Sequence, residues 1–215
     1  MPLATKNQLT MEKSPYYLSS KLAPKRILEV NPKMKFIIIV TNPVKRSVSQ
    51  FTHDLKKIVF RSFKNKSYSN VEKYFTELLF HPDGKLKTHG LHDVVSHGLY
   101  IVNYKYWLKF FPKEQFLIVN GENFVTNPYE EVKKVEKFLD LEPFIQKNHF
   151  VYDTKKGFFC FNKNQDQNKI TCMDKTKGRK HPNISDDALN KLKEFYKPYS
   201  IELFNTLNVD PFWEI

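Results

Sequence analysis

The sequence predicts an α/β layered fold with a parallel sheet. Two short apolar runs carry that reading: "KMKFIIIV" at 33–40, and residues 115–120 within "EQFLIVNGENF". Both are apolar enough to be covered on both faces, as strands of a parallel sheet are. Each gives way to a turn and then to an amphipathic helical pattern, and strands alternating with helices build a layered fold.

Taken in order, the first strand stops at Thr41-Asn42-Pro43, where the proline suits the first turn of a helix. "VKRSVSQFTHDLKKI" then places Val44, Val48, Phe51, Leu55 and Ile58 at three- and four-residue intervals, one apolar stripe. "VEKYFTELLF" reads as a second helix, ended by the turn His81-Pro82-Asp83-Gly84. A longer helix is expected from Ser96 to Phe111, with Leu99, Val102, Tyr106, Trp107 and Phe110 on one side. After the second strand, Asn127-Pro128 opens the amphipathic "YEEVKKVEKFLDL". From Lys147 to Pro182 the chain is polar and without clear periodicity, and loops that long usually carry function or an internal staple. Ser185 reads as an N-cap with Asp186 and Asp187 in the first turn, opening a last helix that buries Leu189, Leu192 and Tyr196 and ends before Pro198.

A chain of 215 residues is long enough for one domain with a full core, so residues 1–215 are read as one domain. With 40% hydrophobic residues, 19 Phe and 11 Tyr, it buries enough surface to fold rather than stay disordered. The net charge of +12 draws polyanions, whether nucleic acid, acidic membrane, or a sulfated or phosphorylated ligand. No nucleic-acid motif is present, which sets nucleic acid below the others. No stretch approaches the roughly 20 apolar residues that span a bilayer, so the chain is expected to be soluble as written. Residues 1–13 have neither signal-peptide nor transit-peptide character, so a secretory protein would carry its targeting segment outside this sequence.

Several constellations are candidates for chemistry. Ligands of open α/β sheets collect at the carboxyl ends of strands, and Arg46 and Ser49 lie about one turn into the helix after the first strand, within reach of a phosphate. Solvated surface residues would look the same. "EKSPYYL" at 12–18 sets Lys13 beside Glu12 ahead of a Ser-Pro bend. "CMDKTKGRKHP" at 172–182 crowds Lys175, Lys177, Arg179, Lys180 and His181 around Gly178, which suits an oxyanion as well as a solvated charge run. Cys160 and Cys172 are either a short-range disulfide or two free thiols. The histidines show no zinc-binding spacing, and no metal site is expected. The sequons at Asn65 and Asn183 suit a secretory glycoprotein.

In this order the segments resemble the heparan sulfate glucosamine 3-O-sulfotransferases over nearly the whole chain. "EKSPYYL" is similar to that family's Glu-Lys-Thr/Ser-Pro-x-Tyr-Phe, and "IIIVTNPVKRSVSQFTH" to its strand followed by Arg-Asp-Pro-x-x-Arg-x-x-Ser-Asp-Tyr-Thr-Gln. "KKGFFC" with "CMDKTKGRKHP" resembles its Lys-Gly-Phe-x-Cys and Cys-x-x-x-x-Lys-Gly-Arg-x-His-Pro, and "FWEI" its terminal Phe-x-Trp.

The resemblance implies a P-loop NTPase-like sulfotransferase fold, a three-layer sandwich with a central mostly parallel sheet. The implied reaction moves the sulfo group of 3′-phosphoadenosine 5′-phosphosulfate to the 3-hydroxyl of a glucosamine in heparan sulfate. By position, Ser49 would bind the donor's 3′-phosphate beside Thr41, and Phe159 would lie near the adenosine. Lys177, Gly178, Arg179, Lys180 and His181 would form the lid over the nucleotide, with Lys177 and Arg179 also gripping the polyanion. Lys13 would sit at the reacting centre as the charge-stabilising cation. Ser14, Pro15 and Tyr16 would form the acceptor wall, and Gln50 and His53 would stand in the acceptor cleft. Cys160 and Cys172 would be disulfide-bonded, and the protein would work in the Golgi lumen, membrane-held only through an anchor outside this sequence.

Thr41 stands where the family has an arginine, and Gln50 and His53 replace its Asp and Gln. The family also carries a strand, a phosphate loop, a helix and a general-base glutamate ahead of its Glu-Lys motif. The sequence is therefore expected to be N-terminally incomplete, lacking the first strand, phosphate loop and helix, with transfer weak or absent. The alternative is a non-catalytic heparin- or polyanion-binding protein on the same fold.

Overall fold

The computed structural model describes residues 5, 8–62, 71–88, 93–163, 170–172 and 181–215, with the backbone alone over 56–62. Both expected strands form. β1 (Phe36–Val40) pairs in parallel with β2 (Phe116–Asn120), Phe36 opposite Phe116 and Val40 opposite Asn120. Helices lead up to and follow each strand: α1 (Ala23–Val30) before β1, α2 (Pro43–Ser62) after it, then α3 (Val71–Leu79), α4 (Asp93–Ser96) and α5 (Tyr100–Trp107). Beyond β2 come α6 (Gly121–Thr126), α7 (Pro128–Phe138) and the long α8 (Asp186–Leu207). This is the α/β arrangement expected, with parallel strands and helices packed on them.

Three expectations need correction. The single helix read across 96–111 is broken into α4 and α5 at Gly98, whose missing side chain makes room for Tyr196: a Cβ there would lie 2.8 Å from the Tyr196 hydroxyl oxygen. The last helix does not stop before Pro198 but runs through it to Leu207. Ala188, Leu192 and Tyr196 before the proline, and Ser200, Leu203 and Phe204 after it, lie on one buried face, and that burial outweighs the one backbone bond the proline forgoes.

The third correction lies within the aperiodic stretch 147–182, which forms a second sheet. β3 (Phe150–Asp153) and β4 (Phe158–Asn162) are antiparallel, and β5 (Ile170–Thr171) adds to β4. The hairpin turn is built locally. Asp153 Oδ1 accepts from the Lys155 and Lys156 amides, its carbonyl accepts from Gly157 N, and Gly157 takes φ +74°, a value that suits glycine.

Two buried clusters stabilise the layers. One joins α2, α3, α4 and α8 through Phe51, Phe75, Val94, Val95, Leu192 and Tyr196. The other packs α5 and α8 on the sheet, with the Phe36 ring 4.6 Å from Phe111, 4.9 Å from Phe116 and 5.1 Å from Trp107, spacings that favour ring–ring attraction. α8 belongs to both clusters, and Tyr196 stands where it passes from one to the other. No helix of the described residues is long and apolar enough to cross a membrane.

Candidate functional site

The carboxyl ends of β1 and β2 meet in one tight corner. Gly121 follows β2 directly, and a Cβ on it would lie 2.4 Å from Thr41 Cγ2 and 2.7 Å from the Val40 carbonyl oxygen, so only glycine lets the two chains approach this closely. Each strand hands over to a helix through an asparagine. Asn42 Oδ1 accepts from the amides of Val44 (2.9 Å) and Lys45 (3.3 Å), and Asn120 Oδ1 accepts from Glu122 (3.0 Å) and Asn123 (3.1 Å).

Glu122 then ties the corners together, taking Asn42 N at 2.9 Å and Lys45 Nζ at 2.8 Å. Partial burial pushes its carboxyl pKa up, but the bonds from Lys45 and Asn42 and the Lys45 charge outweigh that and hold it below the ordinary value. Behind it the fully buried Glu131 accepts from Asn120 N, Asn123 Nδ2 and Lys134 Nζ, fixing the β2–α6 corner.

These bonds settle which groups remain for an anion. The first amides of α2 are capped by Asn42, and Lys45 is paired with Glu122. Arg46 differs: Nη2 donates to Gln50 Oε1 at 3.3 Å, whereas Nη1 is buried with no hydrogen-bond partner. Its charge lies close enough to the Tyr100 and Tyr196 phenols to oppose the upward pKa shift that burial imposes on both. Ser49, exposed, follows three positions on along α2, the spacing that puts neighbours on one face.

Gln50 is held between Arg46 and Asp54, and His53 Nδ1 lies 3.1 Å from Asp54 Oδ1 with its ring exposed. Thr41 is half-buried, its amide 3.5 Å from the Tyr100 hydroxyl.

The segment carrying Lys13 is laid across α5. Trp107 Nε1 donates to the Leu18 carbonyl at 3.0 Å, Tyr106 OH donates to the Lys21 carbonyl at 3.0 Å, and the Tyr16 ring packs edge-on against His97 at 5.6 Å. His97 lies just ahead of Tyr100, so Tyr16 comes to the end of α5 that meets Thr41. Lys13 and Pro15 are exposed and Ser14 half-buried, while Glu12 is engaged by the Tyr17 hydroxyl at 2.9 Å.

β4 packs against α6 and so approaches the same corner. Phe159 there is half-buried with its ring 5.2 Å from Tyr152, and Cys160 is joined to Cys172 (S–S 2.12 Å, Cα–Cα 4.4 Å). Among the described residues, the group of metal-ligand types close enough to share an ion is Asp153 with these two sulfurs, and both sulfurs are spent in the disulfide. His181 is exposed; Lys177, Gly178, Arg179 and Lys180 lie outside the described residues, as does Asn65 of the first sequon, while Asn183 of the second is exposed.

The sequence singled out the corner from Thr41 to Ser49, where β1 passes into α2, but not the residues that shape it. Asn120, Gly121 and Glu122, which close the corner from the β2 side, had a readable signal in "NGEN" directly after an apolar strand. Tyr100 and Tyr196 had none, because nothing in their local sequence marks them as neighbours of Arg46.

Comparison with known proteins agrees with this fold. The chain is 34% identical over 219 residues to heparan sulfate glucosamine 3-O-sulfotransferase 3B1 of Mus musculus, covering 100% of this chain and 52% of that protein. It is 34% identical over 214 residues to heparan sulfate glucosamine 3-O-sulfotransferase 6 of Homo sapiens, covering 99% of this chain and 59% of that protein. The chain thus spans little more than half the length of these relatives. The crystal structure of a sulfotransferase from Alicyclobacillus acidocaldarius superposes with a TM-score of 0.55 at 19% identity, covering 91% of this chain and 63% of that one, a likeness of fold. The family model described as the sulfotransferase domain matches residues 3–206, and the chain belongs to that family.

Proposed function

We propose that the protein transfers a sulfo group from 3′-phosphoadenosine 5′-phosphosulfate to the 3-hydroxyl of a glucosamine in heparan sulfate. The observation that carries the reading is the end-to-end similarity to heparan sulfate glucosamine 3-O-sulfotransferases. The paired strand ends, with the exposed Ser49 on the helix that follows β1, support it, and so does the net charge of +12 for a polyanionic acceptor.

In this reading the nucleotide's 3′-phosphate lies against Ser49 beside Thr41, with the adenosine toward Phe159. Lys177, Gly178, Arg179, Lys180 and His181 close over it. Lys13 stands at the reacting centre, where a cation stabilises charge on the sulfo group and its bridging oxygen as that bond breaks. Ser14, Pro15 and Tyr16 line the acceptor side with Gln50 and His53, and Lys177 and Arg179 hold the sulfated chain. The disulfide fixes the root of the lid. A Golgi lumen setting with glycosylation at Asn183 fits such a substrate.

The test is incubation of the protein, as isolated from its own cells, with labelled donor and heparan sulfate, followed by disaccharide analysis. Label in 3-O-sulfated glucosamine supports the reading. Label at another position, or none, contradicts it. Salt-sensitive retention on heparin that ignores donor nucleotide, without transfer, would instead mark a binding protein on this fold.

A further inference from the structure

The two ends of the Cys160–Cys172 disulfide are unequal. Cys160 is only 2% exposed within β4, whereas Cys172, just past β5, is half-buried. A thiol arriving from solvent therefore meets the Cys172 sulfur, and the Cys160 sulfur is the leaving group. Without the bond, β5 is held to β4 by two residue pairs, Phe161 with Thr171 and Asn162 with Ile170.

A carboxylate stands at the accessible end. Asp153 Oδ1 is taken by the amides of Lys155 at 2.9 Å and Lys156 at 3.1 Å, which turns Oδ2 toward Cys172 Sγ, 4.0 Å away. The side chains of Lys155 and Lys156 are exposed, and among the described residues Asp153 has no ion-pair partner. The hairpin turn thus fixes a negative charge beside the sulfur that a thiolate must approach. Two unit charges 4 Å apart change a rate by roughly fivefold even at the dielectric constant of water. A second negative charge on the reagent adds to that repulsion, and a positive one offsets it.

We infer that Cys172 is a thiolation site selective for small thiols that carry a positive charge, aminothiols as a class, and that Asp153 is the residue that selects them. The thiolate sulfur attacks Cys172 Sγ, the bond to Cys160 breaks, and a new S–S bond joins Cys172 to the reagent. Cys160 leaves as a thiolate and takes up a proton, so the exchange balances with no further oxidant or reductant. In the product the reagent's ammonium lies near Asp153, and β5 keeps only its two-pair hold on the hairpin. The inference stands apart from the proposed transfer reaction and needs no nucleotide or saccharide.

The experiment exposes the folded protein to 2-aminoethanethiol, 2-mercaptoethanol and 2-mercaptoethanesulfonate, quenches by alkylation and maps the peptides by mass. Each rate is divided by that of the same thiol with diethyl disulfide, which removes the reagent's own reactivity. The adduct is expected on Cys172 with Cys160 alkylated. The normalised rates should fall in the order ammonium, hydroxyl, sulfonate, and the spread should shrink at high salt. Asp153→Asn keeps an Oδ1 acceptor for the turn amides but removes the charge. It should speed 2-mercaptoethanol roughly fivefold, the sulfonate more and the aminothiol least. If the variant loses its hairpin, the order of the three thiols on the unmodified protein and its response to salt decide alone. An adduct on Cys160, or no reaction with any thiol, overturns the site. Equal rates, or the reversed order that the net charge of +12 would impose by itself, overturn the selectivity, as does an unchanged order and spread in a folded Asp153→Asn.

Discussion

The hydroxyls of Ser47 and Tyr196, 149 residues apart, lie 2.8 Å from each other in a buried chain of contacts that ends on the Pro43 carbonyl at one side and the Val95 carbonyl at the other. Two hydroxyl protons serve three oxygen–oxygen contacts, and the chain links the start of α2 to α4 through α8. It holds the first turn of α2, and with it Arg46, against the two buried clusters. Tyr196→Phe should therefore cost about 1–3 kcal/mol by leaving buried oxygens short of a partner, read as a lower denaturation midpoint in urea. An unchanged midpoint would mean the contact is incidental.

Gly98→Ala tests the same seat from the opposite side. Its new methyl would press on the Tyr196 ring atoms at 2.9 Å, and an overpacked core typically loses about 1–3 kcal/mol. Because Gly98 touches Tyr196, the double variant Gly98→Ala with Tyr196→Phe should be less damaging than the sum of the two. Strict additivity would contradict the contact.

At Gly121 the obstruction is backbone as well as side chain. Gly121→Ala meets the Val40 carbonyl oxygen at 2.7 Å and Thr41 Cγ2 at 2.4 Å, so the ends of β1 and β2 must separate. A loss of about 1–3 kcal/mol is expected, together with weaker nucleotide binding, since the corner that frames Arg46 opens. Stability lost with binding intact would place the anion elsewhere.

Glu122 gives a pH signature. Its carboxyl titrates below its ordinary value of 4.5, the hydrogen bonds and charge of Lys45 and Asn42 outweighing burial. A depressed folded-state pKa contributes stability that is present above the unfolded value and is lost as pH falls through the folded one. Glu122→Gln keeps an acceptor for Asn42 N but removes the charge. At neutral pH the variant should be less stable by no more than about 1 kcal/mol, as befits a partly exposed pair. The gap should close on acidification below the ordinary carboxylate range; a gap that widens in acid would reverse the sign and refute the assignment.

The disulfide closes a loop of sequence separation 12 and fastens β5 to the hairpin. Replacing both cysteines by serine, or adding a reductant, should lower stability by about 2–4 kcal/mol, seen as a depressed thermal midpoint. No shift under reductant would show that the bond contributes nothing to the fold.

What was legible in the sequence follows the local strength of each signal. β1, α2, β2 and α7 were readable because an unbroken apolar run and a proline-started amphipathic stripe are local patterns. The β3–β4 hairpin was missed because Phe150, Phe158, Phe159 and Phe161 show no clean alternation, although Asp153 and Gly157 carry a turn signature. α8 was cut short at Pro198 because the proline's local cost is visible in sequence, whereas the burial of Leu203 and Phe204 beyond it is a property of the assembled core. The same holds for the site. Ser49 and Arg46 could be picked out from their place after a strand, but the pairing of Lys45 with Glu122, which ties the two strand ends together, joins residues 77 positions apart.

The central claim is that the corner where β1 and β2 end receives the 3′-phosphate of a sulfonate donor. The most direct measurement is the affinity of residues 1–215 for adenosine 3′,5′-bisphosphate against adenosine 5′-monophosphate at one ionic strength. A preference of at least roughly tenfold for the bisphosphate is predicted, the value of one charge-assisted contact. Equal affinity for the two nucleotides would contradict the claim.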